Sequence, residues 1–193
     1  MILPTIVEWS HWIIRRVLRA GDAALDATVG NGHDLVMMAS CVAPNGLVIG
    51  CDVQHAALDR ARRHAQEQHL GHLVRLYNQS HEYIDRICVN EGINTVQAIM
   101  YNLGYLPGGD KAIRTQVQTT LASLEKARSF LAPGGVMTIV CYRGHGGGED
   151  ETEAVRAWCL ALPPEQYECS LYAPLHSAAA PIGLAVARRS TRQ

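Results

Sequence analysis

The segment Asn102-Leu103-Gly104-Tyr105 puts a carboxamide, a backbone carbonyl and an aromatic ring into one short turn. That set suits the capture of an amine. The Asn102 oxygen and the Leu103 carbonyl can accept hydrogen bonds from an NH2 group while its lone pair stays aimed at an electrophile, and Tyr105 can stack on a flat substrate. A structural turn with a core tyrosine is the alternative for the same residues. His145, inside Gly144-His145-Gly146-Gly147-Gly148, is a candidate base, because only a neutral amine is nucleophilic. It could equally position a phosphate or face solvent. A second constellation lies upstream, in Asp26-Ala27-Thr28-Val29-Gly30-Asn31-Gly32-His33-Asp34. Its two glycines let the backbone turn tightly and approach a ligand, and a helix starting there offers its N-terminal amides. Leu35 stands where a third glycine would complete a dinucleotide fingerprint, which disfavours a nicotinamide oxidoreductase. Asp52, about 20 residues further on as such folds require, can accept both hydroxyls of a ribose, with Gln54 beside it. Ser80 and His81 follow the next apolar run, where they could meet the base of a nucleoside; helix capping by Ser80 is equally compatible.

The elements that must position these residues are legible as alternation. Apolar runs at 23–27, 47–53, 73–77, 96–101 and 136–142 are separated by longer mixed segments, the pattern of a parallel sheet with crossover helices. The clearest helices are 55–69, 115–130, ending at Ala132-Pro133-Gly134-Gly135, and a later one around 151–160. Strands at 168–172 and 182–187 are joined by a connection too short for a crossover helix, so they should pair antiparallel. The expected fold is α/β: a doubly wound, Rossmann-like seven-stranded sheet, with five parallel strands and a C-terminal antiparallel hairpin. That ending is the methyltransferase variant of the fold. At the N-terminus, Ile6, Trp9, Ile13 and Val17 recur at helical spacing up to Gly21, so residues 1–21 should pack on the sheet as a helix, with Trp9 and Trp12 against it. The whole chain, 1–193, reads as one domain.

Composition narrows the class. A chain of 193 residues, 48% hydrophobic, 18% charged and of net charge −1, is an ordinary globular sequence with no global pull toward nucleic acid or anionic membrane. Any RNA contact must be local, through clusters such as Arg15, Arg16 and Arg19, Arg60, Arg62 and Arg63, or Arg188, Arg189 and Arg192. Each cluster alone also reads as a solvated helix face or a ragged terminus. Six cysteines without a C-x-x-C pair read as reduced core residues of a cytoplasmic protein. No segment has the length of a membrane span or the form of a signal peptide. His64, His69 and His72 read as surface residues, so no metal is expected.

The strings Asp26 to Asp34, Asp52-Val53-Gln54, Ser80-His81, Asn102 to Lys111 and Tyr142 to Gly147 resemble a family of small bacterial class I methyltransferases labelled rRNA methylases. The Asn102 turn by itself also resembles the Asn/Asp-Pro-Pro-Tyr loop of methyltransferases that act on amino groups. The family resemblance covers the chain from His11 to the final strands. It is associated with methylation of 5-aminomethyluridine, often 2-thiolated, at the wobble position of tRNA. It implies S-adenosyl-L-methionine as cofactor, with Asp26, Gly30, Asn31, Gly32, His33, Asp34, Asp52, Gln54, Ser80, His81 and Asn102 around it. Asn102, Tyr105 and His145 would face the substrate amine, and the anticodon region of tRNA would be the partner. An rRNA base or a small-molecule amine is the alternative target, and a non-catalytic RNA-binding factor is the alternative of another class. A homodimer is left open.

Overall fold

The computed structural model describes residues 2–110, 112–177 and 179–190. Strands β1 (Ala23–Asp26), β2 (Leu47–Cys51), β3 (Val74–Tyr77), β4 (Val96–Leu103), β5 (Leu131–Cys141), β6 (Tyr167–Tyr172) and β7 (Ile182–Arg188) form a seven-stranded sheet in the order β3-β2-β1-β4-β5-β7-β6. The first five pair in parallel, whereas β7 lies between β5 and β6 and runs antiparallel to both. The expected hairpin is therefore present, and its second strand is the one that docks on the sheet.

Helices α1 (Ile6–Val17), α2 (His33–Val42) and α3 (His55–Glu67) bury Ile14, Met38 and Leu58 against one face. Helices α4 (Ile84–Asn90), α5 (Val117–Phe130) and α6 (Gly148–Ala161) bury Ile87, Leu124 and Val155 against the other. With both faces covered, the central strands are continuous apolar runs, which is why they stood out in the sequence. Among the described helices none is long and apolar enough to cross a membrane.

Several local expectations need correction. Strand β4 continues through Asn102 to Leu103, so Asn102 is held in the ladder instead of following it. Strand β5 begins at Leu131 and includes Pro133-Gly134-Gly135, because a register shift between Val96 and Ala98 accommodates the segment read as a turn. Helix α1 opens on a capping box, Thr5 with Glu8, and ends before Leu18; Gly21, at φ +89°, makes the turn into β1. Trp9 stacks on Tyr172 at 5.4 Å and presses on Gly183, but Trp12 is 59% exposed, with the Arg16 guanidinium 5.0 Å above its ring. Trp12 lies off the inner stripe of Ile6, Ser10 and Ile14 and cannot reach the sheet. Cys169 is exposed, since β6 is an edge strand, and Cys41 is half-buried; Cys51, Cys88, Cys141 and Cys159 are core residues.

Candidate functional site

Strand order reverses between β1 and β4, and at such a switch point the loops after the strands splay apart and leave a crevice. A cleft of about 910 Å³ opens there, between the loops that follow β1, β2, β3, β4 and β5. It gathers Gly30, Asn31, His33, Asp34, Asp52, Gln54, Ser80, His81, Asn102, Tyr105 and His145, residues spread over more than half of the chain.

Two expected cofactor residues lie behind the wall instead of in it. Asp26 is fully buried and accepts the Thr28 amide at 3.1 Å; burial, followed by the charge of Asp34, pushes its carboxyl well above the ordinary range. Gly32 is the N-cap of α2 at φ +82°, and a Cβ there would sit 2.7 Å from the Ala61 backbone. It is glycine because the loop rests on α3. Both residues shape the loop whose outer surface, from Thr28 to Asn31, faces the cleft.

Asp52 ties two loops together: Oδ2 accepts the Gly30 amide at 2.9 Å and Oδ1 the Gln54 amide at 2.8 Å. Each carboxylate oxygen keeps a further lone pair for an outside hydroxyl. Asn31 accepts from Arg60 Nε at 2.9 Å, and exposed His33 meets His64 edge-on. Ser80 does cap, accepting the Glu82 amide at the turn that precedes α4. His81 is buried at the cleft floor with Nε2 unpartnered among the described residues; desolvation lowers its pKa to about 4, so the ring is neutral at physiological pH.

At the β4 end, Thr28 Oγ1 accepts the Asn102 amide at 2.7 Å, and the Asn102 side-chain nitrogen donates to Asp34 Oδ2 at 2.6 Å. Because an ionised carboxylate only accepts, the Asn102 nitrogen must face Asp34, and Oδ1 is left without a partner among the described residues. The Leu103 carbonyl, expected as a second acceptor for an amine, already receives the Tyr142 amide at 3.0 Å. Tyr105 is 36% exposed, its ring edge-on to His145 at 5.8 Å. His145 borders the cleft, but its Nε2 is buried against Gly104 and Gly148, and Nδ1 lies 3.2 Å from the Gly146 carbonyl. That packing directs neither ring nitrogen to an incoming substrate, against the expectation of a base. Sequence reasoning passed over His11 and Tyr142. His11 binds Asp34 at 2.6 Å; Tyr142 lines the cleft, its phenol pushed up by burial and then by the charge of Asp34. Tyr142 stood inside a quoted motif, whereas nothing local marks His11.

The residues fit a cationic nucleoside cofactor. Asp34 and Asp52 flank the turn after β1, a negative field that favours the sulfonium and ammonium of S-adenosylmethionine, while Asp26 behind the wall is pushed toward its neutral form by burial and then by their charge. Asp52 presents acceptors where a ribose would lie, and Val53, Ser80 and His81 line the side where a base would lie.

Fold and cleft together define a class I methyltransferase. Residues 48–188 match the family described as "Putative rRNA methylase", and the chain belongs to that family. A "tRNA (mnm(5)s(2)U34)-methyltransferase, chloroplastic" of Arabidopsis thaliana is 34% identical over 184 residues, 91% of this chain and 66% of its own length. The chain thus spans about two thirds of that relative. The crystal structure of a "putative rRNA-methylase" from Clostridium thermocellum superposes with a TM-score of 0.92 at 31% identity, over 97% of this chain and 100% of that one. A "putative methyltransferase" of Streptococcus mutans in complex with SAH gives 0.85 at 29%, over 97% and 99%.

Proposed function

We propose that this protein is an S-adenosylmethionine-dependent N-methyltransferase that methylates the primary amine of 5-aminomethyl(-2-thio)uridine at the wobble position of tRNA, acting in the cytoplasm. The observation that carries the reading is Asn102. Its nitrogen is held by Asp34, and its Oδ1 is offered at the cleft beside Tyr105. An exocyclic amine with two hydrogens and one lone pair is the group such an acceptor aligns. The family and the Arabidopsis relative support an RNA substrate, and the SAH complex of the Streptococcus mutans protein supports the cofactor.

Bound in the cleft, the cofactor supplies an already activated methyl group, so alignment and dehydration are what the protein contributes. Asp52, Gly30 and Gln54 hold the ribose end, with Ser80 and His81 at the base. Asn102 Oδ1 accepts one N–H of the neutral amine, orienting its lone pair, and Tyr105 covers the uracil plane. The cofactor, held there, would supply the methyl from its sulfonium and keep the carbon–sulfur electron pair, while Asn102 keeps the amine lone pair that takes up the methyl aimed at it. The product is a secondary ammonium, which loses its proton to water. Mass spectrometry of wobble nucleosides from cells with and without the gene tests the reading. Accumulation of 5-aminomethyl(-2-thio)uridine in its absence is expected, and an unchanged wobble profile with an altered rRNA nucleoside would overturn it.

A further inference from the structure

Helix α1 carries a side chain into the site from outside the methyltransferase sheet. His11 Nε2 lies 2.6 Å from Asp34 Oδ1, and Asn102 Nδ2 lies 2.6 Å from Asp34 Oδ2. One carboxylate, its side chain only 9% exposed, therefore holds a donor from α1 at one oxygen and a donor from β4 at the other. We propose that His11 is a positioning residue for amine methylation: by donating to Asp34 it locks the carboxylate that in turn fixes the Asn102 carboxamide with Oδ1 toward the amine. The inference rests on reading Asn102 as the amine acceptor.

A carboxylate turns readily about its last side-chain torsion, which has broad minima. Held at one oxygen, Asp34 could rotate and release Asn102; held at both, it cannot turn without breaking two charge-assisted hydrogen bonds. The consequence is chemical as well as geometric. A flipped Asn102 would offer Nδ2, a donor, to an amine that also donates, and misplacement by about 1 Å at a reacting centre costs about 100-fold in rate. The backbone cannot correct this, because Thr28 fixes the Asn102 amide and leaves the side-chain torsions free. His11 is not needed to dock α1. Ile6, Ile14 and Leu18 are buried, and Trp9 stacks on Tyr172. His11 is partly accessible at 22% of its side chain, a poor position for a purely packing residue.

The test compares wild type, His11→Ala, His11→Gln, Asn102→Ala and the His11→Ala/Asn102→Ala double variant in single-turnover methylation of tRNA bearing 5-aminomethyluridine. Calorimetric S-adenosylmethionine affinity and melting temperature are measured alongside. His11→Ala should slow turnover by about 10-fold or more with cofactor affinity held within about 2-fold. His11→Gln, whose amide still donates, should recover most of the rate. The double variant should be no slower than Asn102→Ala alone, since both act through one group. Turnover of His11→Ala at the wild-type rate, or losses that multiply in the double variant, would overturn the proposal. An independent readout is the 15N–1H signal pair of the Asn102 side-chain amide in cofactor-bound protein. It should shift or broaden in His11→Ala, and an unchanged signal would sink the coupling even if wild type proves inactive on this tRNA. Inactive wild type with a shifted signal would instead refute only the substrate.

Discussion

Asn102 carries the sharpest consequence at the scale of single residues. Replacing it with alanine removes the amine acceptor and leaves the ladder bonds of β4 in place, so single-turnover methylation should fall by roughly 100-fold while cofactor affinity changes little. Asn102→Asp, which preserves an acceptor, should fare no better. It would set a second carboxylate against Asp34 at the 2.6 Å contact, where one of the two must take up a proton. Asp52→Ala should weaken S-adenosylmethionine binding by about 1.5 to 3 kcal/mol, the range for hydrogen bonds to a charged group, as read by calorimetry. His81 makes a prediction about pH. Its pKa is about 4 in the folded state against an ordinary 6.5, so between those values the unfolded chain binds the extra proton. Stability should therefore rise with pH across that window and be lost on acidification through it, by at most about 1.4 kcal/mol per unit from this group. Denaturation of His81→Leu from pH 4 to 7 should show a flatter profile, and an unchanged slope would assign the acid sensitivity elsewhere.

Among the elements, the joint between α5 and α6 governs how firmly the loop after β4 is held. Glu151, buried on α6, accepts the Thr120 hydroxyl from α5 and the Thr115 hydroxyl from the loop's end, both at 2.6 Å. Thr115 in turn donates its amide to the Gly104 carbonyl, one residue from Tyr105. Glu151→Ala strands the buried Thr120 hydroxyl in a dry interior, a cost of about 1–3 kcal/mol for the group left unpaired, and releases Thr115 at the cleft wall. It should lower the melting temperature and, by loosening Tyr105, raise the apparent KM for tRNA more than the affinity for cofactor falls. A variant with lower stability and unaltered RNA kinetics would make the joint structural only.

The distribution of arginine matters for the molecule as a whole. Of the clusters seen in the sequence, the C-terminal one lies away from the cleft. Strand β7 starts at the carboxyl edge of the parallel strands and ends at the other, where Arg188 donates to the Leu131 carbonyl and Arg189 to that of Pro164; Arg192 is outside the described residues. Arg15 and Arg16 ride on the last turn of α1, and neither is among the described residues that line the cleft. Among the described residues Arg114 and Arg143, in no cluster, are the arginines that line the cleft, and Arg143 is already paired with Glu149. RNA docking should depend on Arg114. Arg114→Ala should weaken tRNA binding and reduce the salt slope by about one counterion, whereas Arg188→Ala should leave that slope unchanged. Equal effects from the two would argue for a footprint spread over the surface.

The alternation of buried runs, the glycine turn after β1, Asp52 after β2 and Asn102 at the end of β4 were legible because each obeys a local rule: two-sided burial makes continuous apolar strands, and a doubly wound sheet delivers ligand groups at strand ends. Those rules depend on spacing along the chain, which a sequence displays. Tertiary structure alone decided which face each side chain turns to the cleft. Asp26 and Gly32 sit in the same short string as Gly30 and Asp34 yet lie behind the wall, because the loop rests on α3 and the Asp26 carboxylate folds back on the Thr28 amide. His145 has the right residue type at the right strand end, but its glycine-lined niche buries the nitrogen a base would need. His11 shows the converse. It stands 23 residues before Asp34 on a helix whose pattern reports only burial, and the packing of that helix over the sheet is what brings its imidazole to the carboxylate.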